Sequence, residues 1–389
     1  MSGPALFVWD DRLRAYDFGP GHPLAPIRVE LAMLLARDLG LLEPDQIRTV
    51  MPVEVAPEVL AAVHEQHFID AMKAATAATQ DPQHGLGTPD NPAFDGMHDA
   101  ALRVVGATLA AVQGVWSGDV LHGVNLAGGL HHSMPGSASG FCLYNDLAVG
   151  IQWALDHGAE RVAYVDVDVH HGDGVQEVFA DDPRVLTISL HESPDSLFPG
   201  TGYPSETGRA AGGTAANVAL PAGTGDAQWL RAFDAIVPPL LRAFKPQLLV
   251  SQHGVDSHAQ DPLAHMALSI DGQRAAMQAL HSLAHEVCDG RWVATGGGGY
   301  EWVQVVPRAW AHLVGIASGH PVEPTTAIPE GWREYVAERL GRQAPGRMTD
   351  GVTPVFRRFV DGFDPADPVD AAILATQRAV FAHFGLAAA

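Results

Sequence analysis

The stretch RVAYVDVDVHHGDG, residues 161–174, decides how the rest of the chain is read. It starts as an apolar, β-branched run and ends in carboxylates, imidazoles and glycines. Strand alternation sets Asp166, Asp168 and His170 on one face and Val165, Val167 and Val169 on the other. An apolar run that turns polar only at its carboxyl end reads as a buried strand of a parallel sheet, with a site just beyond it. Two carboxylates and an imidazole are too costly to bury there without a cation or hydrogen-bonding partners. A merely hydrogen-bonded polar strand end is the plainer account. A metal site fits these residue types better.

The same rhythm recurs along the chain. Apolar runs at 5–10, 120–129, 185–191, 217–223, 247–256 and 291–300 each lead into a loop rich in Gly, His or Asp. Helical periodicity is read over 27–42, 57–77, 96–116, 145–157, 226–244, 272–288 and 306–318. Strands alternating with helices predict an α/β fold with a mainly parallel central sheet, whose strand-end loops converge on one site. Beyond residue 319 the strand rhythm stops. Residues 1–319 are therefore expected to form a catalytic domain. Residues 320–389 form a C-terminal appendage packed on or extending it, with PVEPTTAIPEG as a linker and a terminal amphipathic helix over 368–386.

Composition narrows the function classes. The 389 residues are 47% hydrophobic and 17% charged, enough for a large core. The net charge of -22 disfavours nucleic acid and anionic membranes as partners and attracts cationic ones. Lysine occurs only at Lys73 and Lys245, a bias that codon usage is enough to explain. No run is long enough to cross a membrane, and MSGPALFVWDD lacks the basic and apolar regions of a signal peptide. Cys142 and Cys288 make neither a disulfide framework nor a cysteine metal site, which fits a cytoplasmic protein.

Three segments carry the chemistry. A catalytic metal needs a third protein ligand and an open position. QHGVDSH, residues 252–258, follows another strand and offers Asp256, so that Asp168, His170 and Asp256 would make a neutral site for one divalent ion. GGLHH, residues 128–132, puts His131 and His132 in a strand-end loop where both can face one pocket. TGGGGY, residues 295–300, ends a glycine run on the hydroxyl of Tyr300; no Lys-Ser/Thr follows, so it is not a phosphate loop.

Taken together, GGLHH, SGFCLYND, YVDVDVHHGDG, FPGTG, SQHGVDSH and GGGGY, in this order between Trp9 and Gly319, resemble the zinc-dependent histone deacetylase superfamily. The wording is most similar to its bacterial class I-like branch of acetoin-utilisation proteins. The resemblance implies a single-domain, three-layer α/β/α arginase/deacetylase fold and hydrolysis of acetyl groups from lysine side chains. It implies Zn2+ or Fe2+ on Asp168, His170 and Asp256. A structural K+ would be held by Asp166, Asp168, His170, Ser189 and Leu190, the last through its carbonyl. His131, His132 and Tyr300 match the catalytic groups, and Asp166 and Asp173 match the carboxylates that orient the two histidines. Gly140, Phe141, Phe198 and Leu263 match the channel for the acyl-lysine stem. Asp90, in TPDNPAF, matches a rim aspartate that holds the substrate backbone. Arg28, in HPLAPIR, matches an arginine beside an internal cavity.

Two features depart from the corepressor-bound eukaryotic pattern. Pro262 stands where those relatives carry an arginine, and the segment Ser133–Ser137 lacks their lysines, so no inositol-phosphate corepressor is expected. Other activities share parts of the pattern. A deacetylase of small acetylated amines such as acetylpolyamines would use every catalytic residue and differ at the channel mouth. A two-manganese ureohydrolase would need more carboxylates than Asp256-Ser257-His258 supplies. A non-catalytic acetyl-lysine binder would have lost a ligand or Tyr300.

Overall fold

The seven apolar runs and one further strand pair, among the described residues, into one sheet of eight strands, all parallel. The computed structural model describes residues 5–389. The strands are β1 (Ala5–Val8), β2 (Ile47–Val50), β3 (His122–Asn125), β4 (Val162–Asp166), β5 (Val185–Glu192), β6 (Ala215–Leu220), β7 (Leu248–Gln252) and β8 (Trp292–Thr295), arranged β2-β1-β3-β8-β7-β4-β5-β6. The helices are α1 (Ile27–Asp38), α2 (Pro57–Ala61), α3 (Gln66–Ala74), α4 (Met97–Trp116), α5 (Asp146–Asp156), α6 (Asp173–Phe179), α7 (Asp226–Phe244), α8 (Ile270–Val287), α9 (Val306–Ala317), α10 (Glu330–Leu340) and α11 (Pro368–Val380).

Strand alternation divides the core in two. Phe7, Val124, Ala163, Val165, Ile188, Leu249 and Ala294 pack on the side that carries α1, α7, α8 and α9. Leu6, Val8, Val162, Tyr164, Val185, Val250 and Val293 pack on the side that carries α4 and α5. With both faces covered, the inner strands are buried and mostly apolar, as a parallel sheet requires, and only the edge strand β2 exposes side chains. The result is a three-layer α/β/α arrangement, the architecture expected from the sequence.

Residues beyond 319 add helices and no strand. On α10, Trp332 donates its indole N–H to the Leu31 carbonyl (3.0 Å) and Tyr335 donates to Glu30 (2.6 Å). On α11, Thr376 donates to the Asn217 carbonyl of β6 (2.6 Å), and Ile373 and Val380 are fully buried. Arg231 of α7 makes two hydrogen bonds to the carboxylate of Asp370, at 2.6 and 2.7 Å.

Several expectations need correction. The helix read over 57–77 is two helices, α2 and α3, separated by Ala62, Val63, His64 and Glu65. The terminal helix stops at Val380 and ends in a 3-10 turn over Phe381–Phe384. Strand β4 ends at Asp166, but the alternation carries on beyond it: Val165, Val167 and Val169 are buried in one core cluster, and Val167 donates to the Gln252 carbonyl (3.1 Å). Asp166 accordingly lies on the α4 side, and Asp168 and His170 lie beyond the sheet edge. Strand β2 and helices α6 and α10 had no clear periodic signal.

Candidate active site

The four central strands β3, β8, β7 and β4 end side by side, and their loops bring the chemistry together. Asp168 and His170 follow β4 and Asp256 follows β7. All three are buried, with donor atoms within 4.8 Å of one another. Their oxygens are sorted by the surrounding backbone. Asp168 Oδ2 accepts from Gln252 Nε2 (2.7 Å) and from the Gly298 amide (2.8 Å), and Asp256 Oδ1 accepts from the Val169 amide (3.0 Å). That leaves Asp168 Oδ1 and Asp256 Oδ2 facing His170 Nδ1, each at 3.1 Å. Gly254 and Gly298 permit this approach, because a Cβ at either would overlap the Asp168 or Asp256 carboxylate.

One imidazole proton cannot serve two carboxylates at once. Burial penalises both charges, and the Asp168 charge adds to the burial that pushes Asp256 up to about 6. For His170, burial disfavours the cation, but Asp168 and Asp256 outweigh it and push its pKa up to about 10. Even with the imidazole protonated, two buried carboxylates leave the cluster with an excess of negative charge. This Asp2His donor set is what a divalent cation neutralises, and it fits zinc or ferrous iron.

Beside it stand two histidine–carboxylate pairs. His131 Nδ1 donates to Asp166 (2.7 Å), which also accepts from the Tyr164 hydroxyl (2.6 Å). His132 Nδ1 donates to Asp173 (2.7 Å), the first residue of α6. The two Nε2 atoms lie 3.1 Å apart. Burial opposes charge on both rings, but the outcomes differ. Asp166 and Asp168 overcome it at His131 and push the pKa up to about 9. At His132, burial and the neighbouring His131 charge push it down to about 4.

A channel of about 230 Å³ opens onto this floor, lined by Asp90, His132, Gly140, Phe141, His170, Leu197, Phe198, Leu263 and Tyr300. Every residue expected in the channel is in this wall, and Leu197 joins them. Gly140 (φ +51°) and Phe141 (φ +69°) are in the left-handed region, and a Cβ on Gly140 would press on both the His132 and Phe198 rings. Phe198 is 44% exposed at the mouth, edge-on to His132 with ring centroids 5.0 Å apart. Tyr300 meets Phe141 edge-on at 5.8 Å and is fixed through its amide, which donates to Asp261 (2.7 Å). Arg28 is buried between the rings of Tyr300 and Trp310 and donates to the Gly297 carbonyl (2.5 Å). It lines a second, smaller cavity of about 40 Å³ with Gly128, Leu130 and Gly297. Ser189 is the register partner of Asp166 on β5, with its hydroxyl against His191 Nδ1 (2.8 Å); Leu190 is fully buried beside it.

Residues 22–317 match the histone deacetylase domain. The chain belongs to the histone deacetylase family. It is 40% identical over 349 residues to the acetoin utilization protein AcuC of Bacillus subtilis, covering 85% of this chain and 90% of that protein. It is 36% identical over 358 residues to AcuC of Staphylococcus aureus strain MSSA476, with 90% and 91% covered. AcuC of Staphylococcus xylosus is 36% identical over 331 residues, with 84% and 85% covered. Family and relatives make the chain a deacetylase, a hydrolase.

The deacetylase site also depends on residues to which the sequence reading gave no role. Asp146, the first residue of α5, accepts from the amides of Gly129 (3.0 Å) and Leu130 (2.8 Å) and from Thr108, and so fixes the loop that bears both histidines. Asn145 donates to the carbonyls of His131 (3.3 Å) and Ser133 (3.0 Å). Gln252 links Asp168 to the Gly129 carbonyl (3.2 Å). A buried Asn-Asp pair opening a helix was the available signal.

Proposed function

We propose that the protein removes acetyl groups from lysine side chains of proteins or peptides, using one divalent metal, zinc or ferrous iron, on Asp168, His170 and Asp256. The observation that carries this reading is the pair of touching imidazoles, each held through Nδ1 by its own carboxylate, beside a buried Asp2His set at the floor of an apolar channel. Two titratable groups with separated pKa values are the mark of an acid/base division of labour.

Bound at the three ligands, the metal supplies Lewis acidity toward an amide carbonyl and toward water. His132 is the neutral partner. Its Nδ1 is committed to Asp173, so Nε2, 3.1 Å from His131 Nε2, is the unprotonated nitrogen that takes the proton of the attacking water and delivers it to the departing lysine nitrogen. His131, charged and paired with Asp166, places a fixed positive charge beside the oxyanion that develops. The Tyr300 hydroxyl donates to that oxyanion, and Asp261 and Phe141 hold it there. Phe141, Phe198, Gly140 and Leu263 enclose the aliphatic stem, and Asp90 at the mouth accepts backbone N–H groups of a peptide. Asp166, Asp168, His170, Ser189 and Leu190 hold a structural potassium ion. Residues 1–319 act as the catalytic domain, with 320–389 as an extension packed against it. The chain works without an inositol-phosphate corepressor, nucleic acid or a membrane surface, in the cytoplasm.

Among the channel residues Asp90 is the single carboxylate. A polyamine substrate carries a second ammonium and calls for more acidic groups at the mouth, which supports the peptide reading. The test is turnover of acetyl-lysine peptides against acetylated polyamines by the zinc-loaded enzyme. Peptide kcat/KM should be at least tenfold higher. A preference for the polyamine overturns the substrate assignment and leaves the hydrolytic chemistry in place.

A further inference from the structure

At the far end of the sheet from the active site, three histidines converge. His122 begins β3, and His281 and His285 lie one turn apart on α8. Spacing of four residues puts the latter two on one face of the helix. Each of the three offers a ring nitrogen within 4.8 Å of the others, and the ring centroids are 4.7 to 5.0 Å apart.

The rings are arranged as ligands. His122 Nδ1 lies 2.7 Å from the Ala317 carbonyl, which can only accept, so Nδ1 carries the proton. An imidazole whose far nitrogen donates to a backbone carbonyl is oriented as metal-bound histidines are. His122 Nε2 and His285 Nε2 are 3.1 Å apart, and at most one proton fits between them, so an unprotonated nitrogen faces the cluster. Burial, with the neighbouring imidazoles, pushes the His122 pKa down to about 4 and keeps that ring neutral. Trp292 stands edge-on to both His122 (5.7 Å) and His281 (5.6 Å). Gly290 lets the chain pass close to His285, where a Cβ would come within 2.8 Å of the ring. His122 is buried, His281 half-buried and His285 exposed, so the cluster is anchored on one side and open to water on the other.

We propose that His122, His281 and His285 form a second metal site, separate from the active site, for one divalent ion of the zinc class, tying α8 to the start of β3. Three imidazole nitrogens as ligands favour Zn2+, Ni2+ or Cu2+ over Mg2+ or Ca2+. The fourth position, on the exposed side, takes water. The site's net charge of two is welcome on a chain of net charge -22. A metal there braces the sheet without entering the deacetylation chemistry.

The experiment is zinc stoichiometry of the full-length protein, dialysed against Zn2+ with a weak competing chelator. Wild type should hold two equivalents, the His281→Ala/His285→Ala variant one, Asp256→Ala one, and the triple variant none. Zinc should raise the melting temperature of Asp256→Ala, and His122→Gln added to that variant should abolish the rise. The His281→Ala/His285→Ala variant should keep its peptide deacetylase activity; equal melting of it and wild type in excess chelator shows that it folds. A wild type with one equivalent, or an unchanged count in His281→Ala/His285→Ala, overturns the proposal. The metal count decides this whatever the substrate of the active site turns out to be.

Discussion

His131 and His132 are adjacent in sequence and alike in burial, yet only one is basic enough to stay charged at neutral pH. The difference is the company each keeps: His131 faces Asp166 and Asp168, whereas His132 has Asp173 and a charged neighbour. Division of roles follows, and Asp173→Asn should lower kcat by at least tenfold with the metal retained, because the amide no longer holds the His132 tautomer. Metal analysis beside steady-state kinetics checks this; unchanged kcat would remove His132 as the base. Tyr300→Phe loses the donor to the oxyanion, a change that typically costs about 100- to 1000-fold in rate. KM should move little, since that bond strengthens in the transition state, and a linear hydroxamate should still bind. Near-normal turnover in a metal-replete Tyr300→Phe protein excludes the oxyanion role. At this scale much of the site was legible, because His, Asp and Tyr in glycine-rich strand ends have few other uses. Asp146, Asn145 and Gln252 were not, because their work is done on backbone groups far away in sequence.

The loop Gly128–His132 has no regular structure of its own and borrows its shape from α5. Asp146 satisfies two of its amides, and a side chain on Gly128 would overlap that same carboxylate. Replacing Asp146 with Ala strands two buried N–H groups, each worth about 1–3 kcal/mol. The expected outcome is a fall of about 3 kcal/mol in unfolding free energy and a loss of kcat larger than the loss of metal affinity. Urea melts and zinc titration measure the two separately; a stable, active variant would mean that the loop is held by its histidines alone. Element boundaries were less legible than elements. The runs 120–129 and 247–256 extend past β3 and β7 because apolar residues continue into buried loops that line the site. Strand β2, Ile47–Val50, escaped notice because Arg48 and Thr49 are exposed on an edge strand. Helix α6 is only seven residues long, too short to show a period.

Across the whole molecule, buried neutral histidines set the response to acid. Burial pushes His64 and His312 down to about 4 and His253 to about 3, whereas in an unfolded chain each titrates near 6.5. Between those values the unfolded state binds more protons, so the stability these three rings contribute is full above pH 6.5 and is lost as pH falls toward 4. Each contributes at most about 1.4 kcal/mol per pH unit, and together the three approach about 4. Urea midpoints in chelator should fall steadily from pH 6.5 to 5; a flat profile would contradict the burial of these rings. The C-terminal segment matters at the same scale. Asp370→Ala leaves the Arg231 guanidinium without its carboxylate, at a cost of about 3 kcal/mol. The melting temperature should drop by several degrees, and equal melting would show that the carbonyls of Arg357 and Gly362 hold Arg231 alone. The parallel character of the sheet was readable from the strand–helix alternation, but the order of its strands was not, since no local property records which strand lies beside which. That order has a consequence for synthesis on the ribosome. Strands β1 to β3 and strands β4 to β6 emerge first and form two half-sheets that share no hydrogen-bonded edge. Only β7 and β8, made last, fit between them, and Asp256 and Tyr300 arrive with them, so a nascent chain that ends before Trp292 has two half-sheets and nothing to join them.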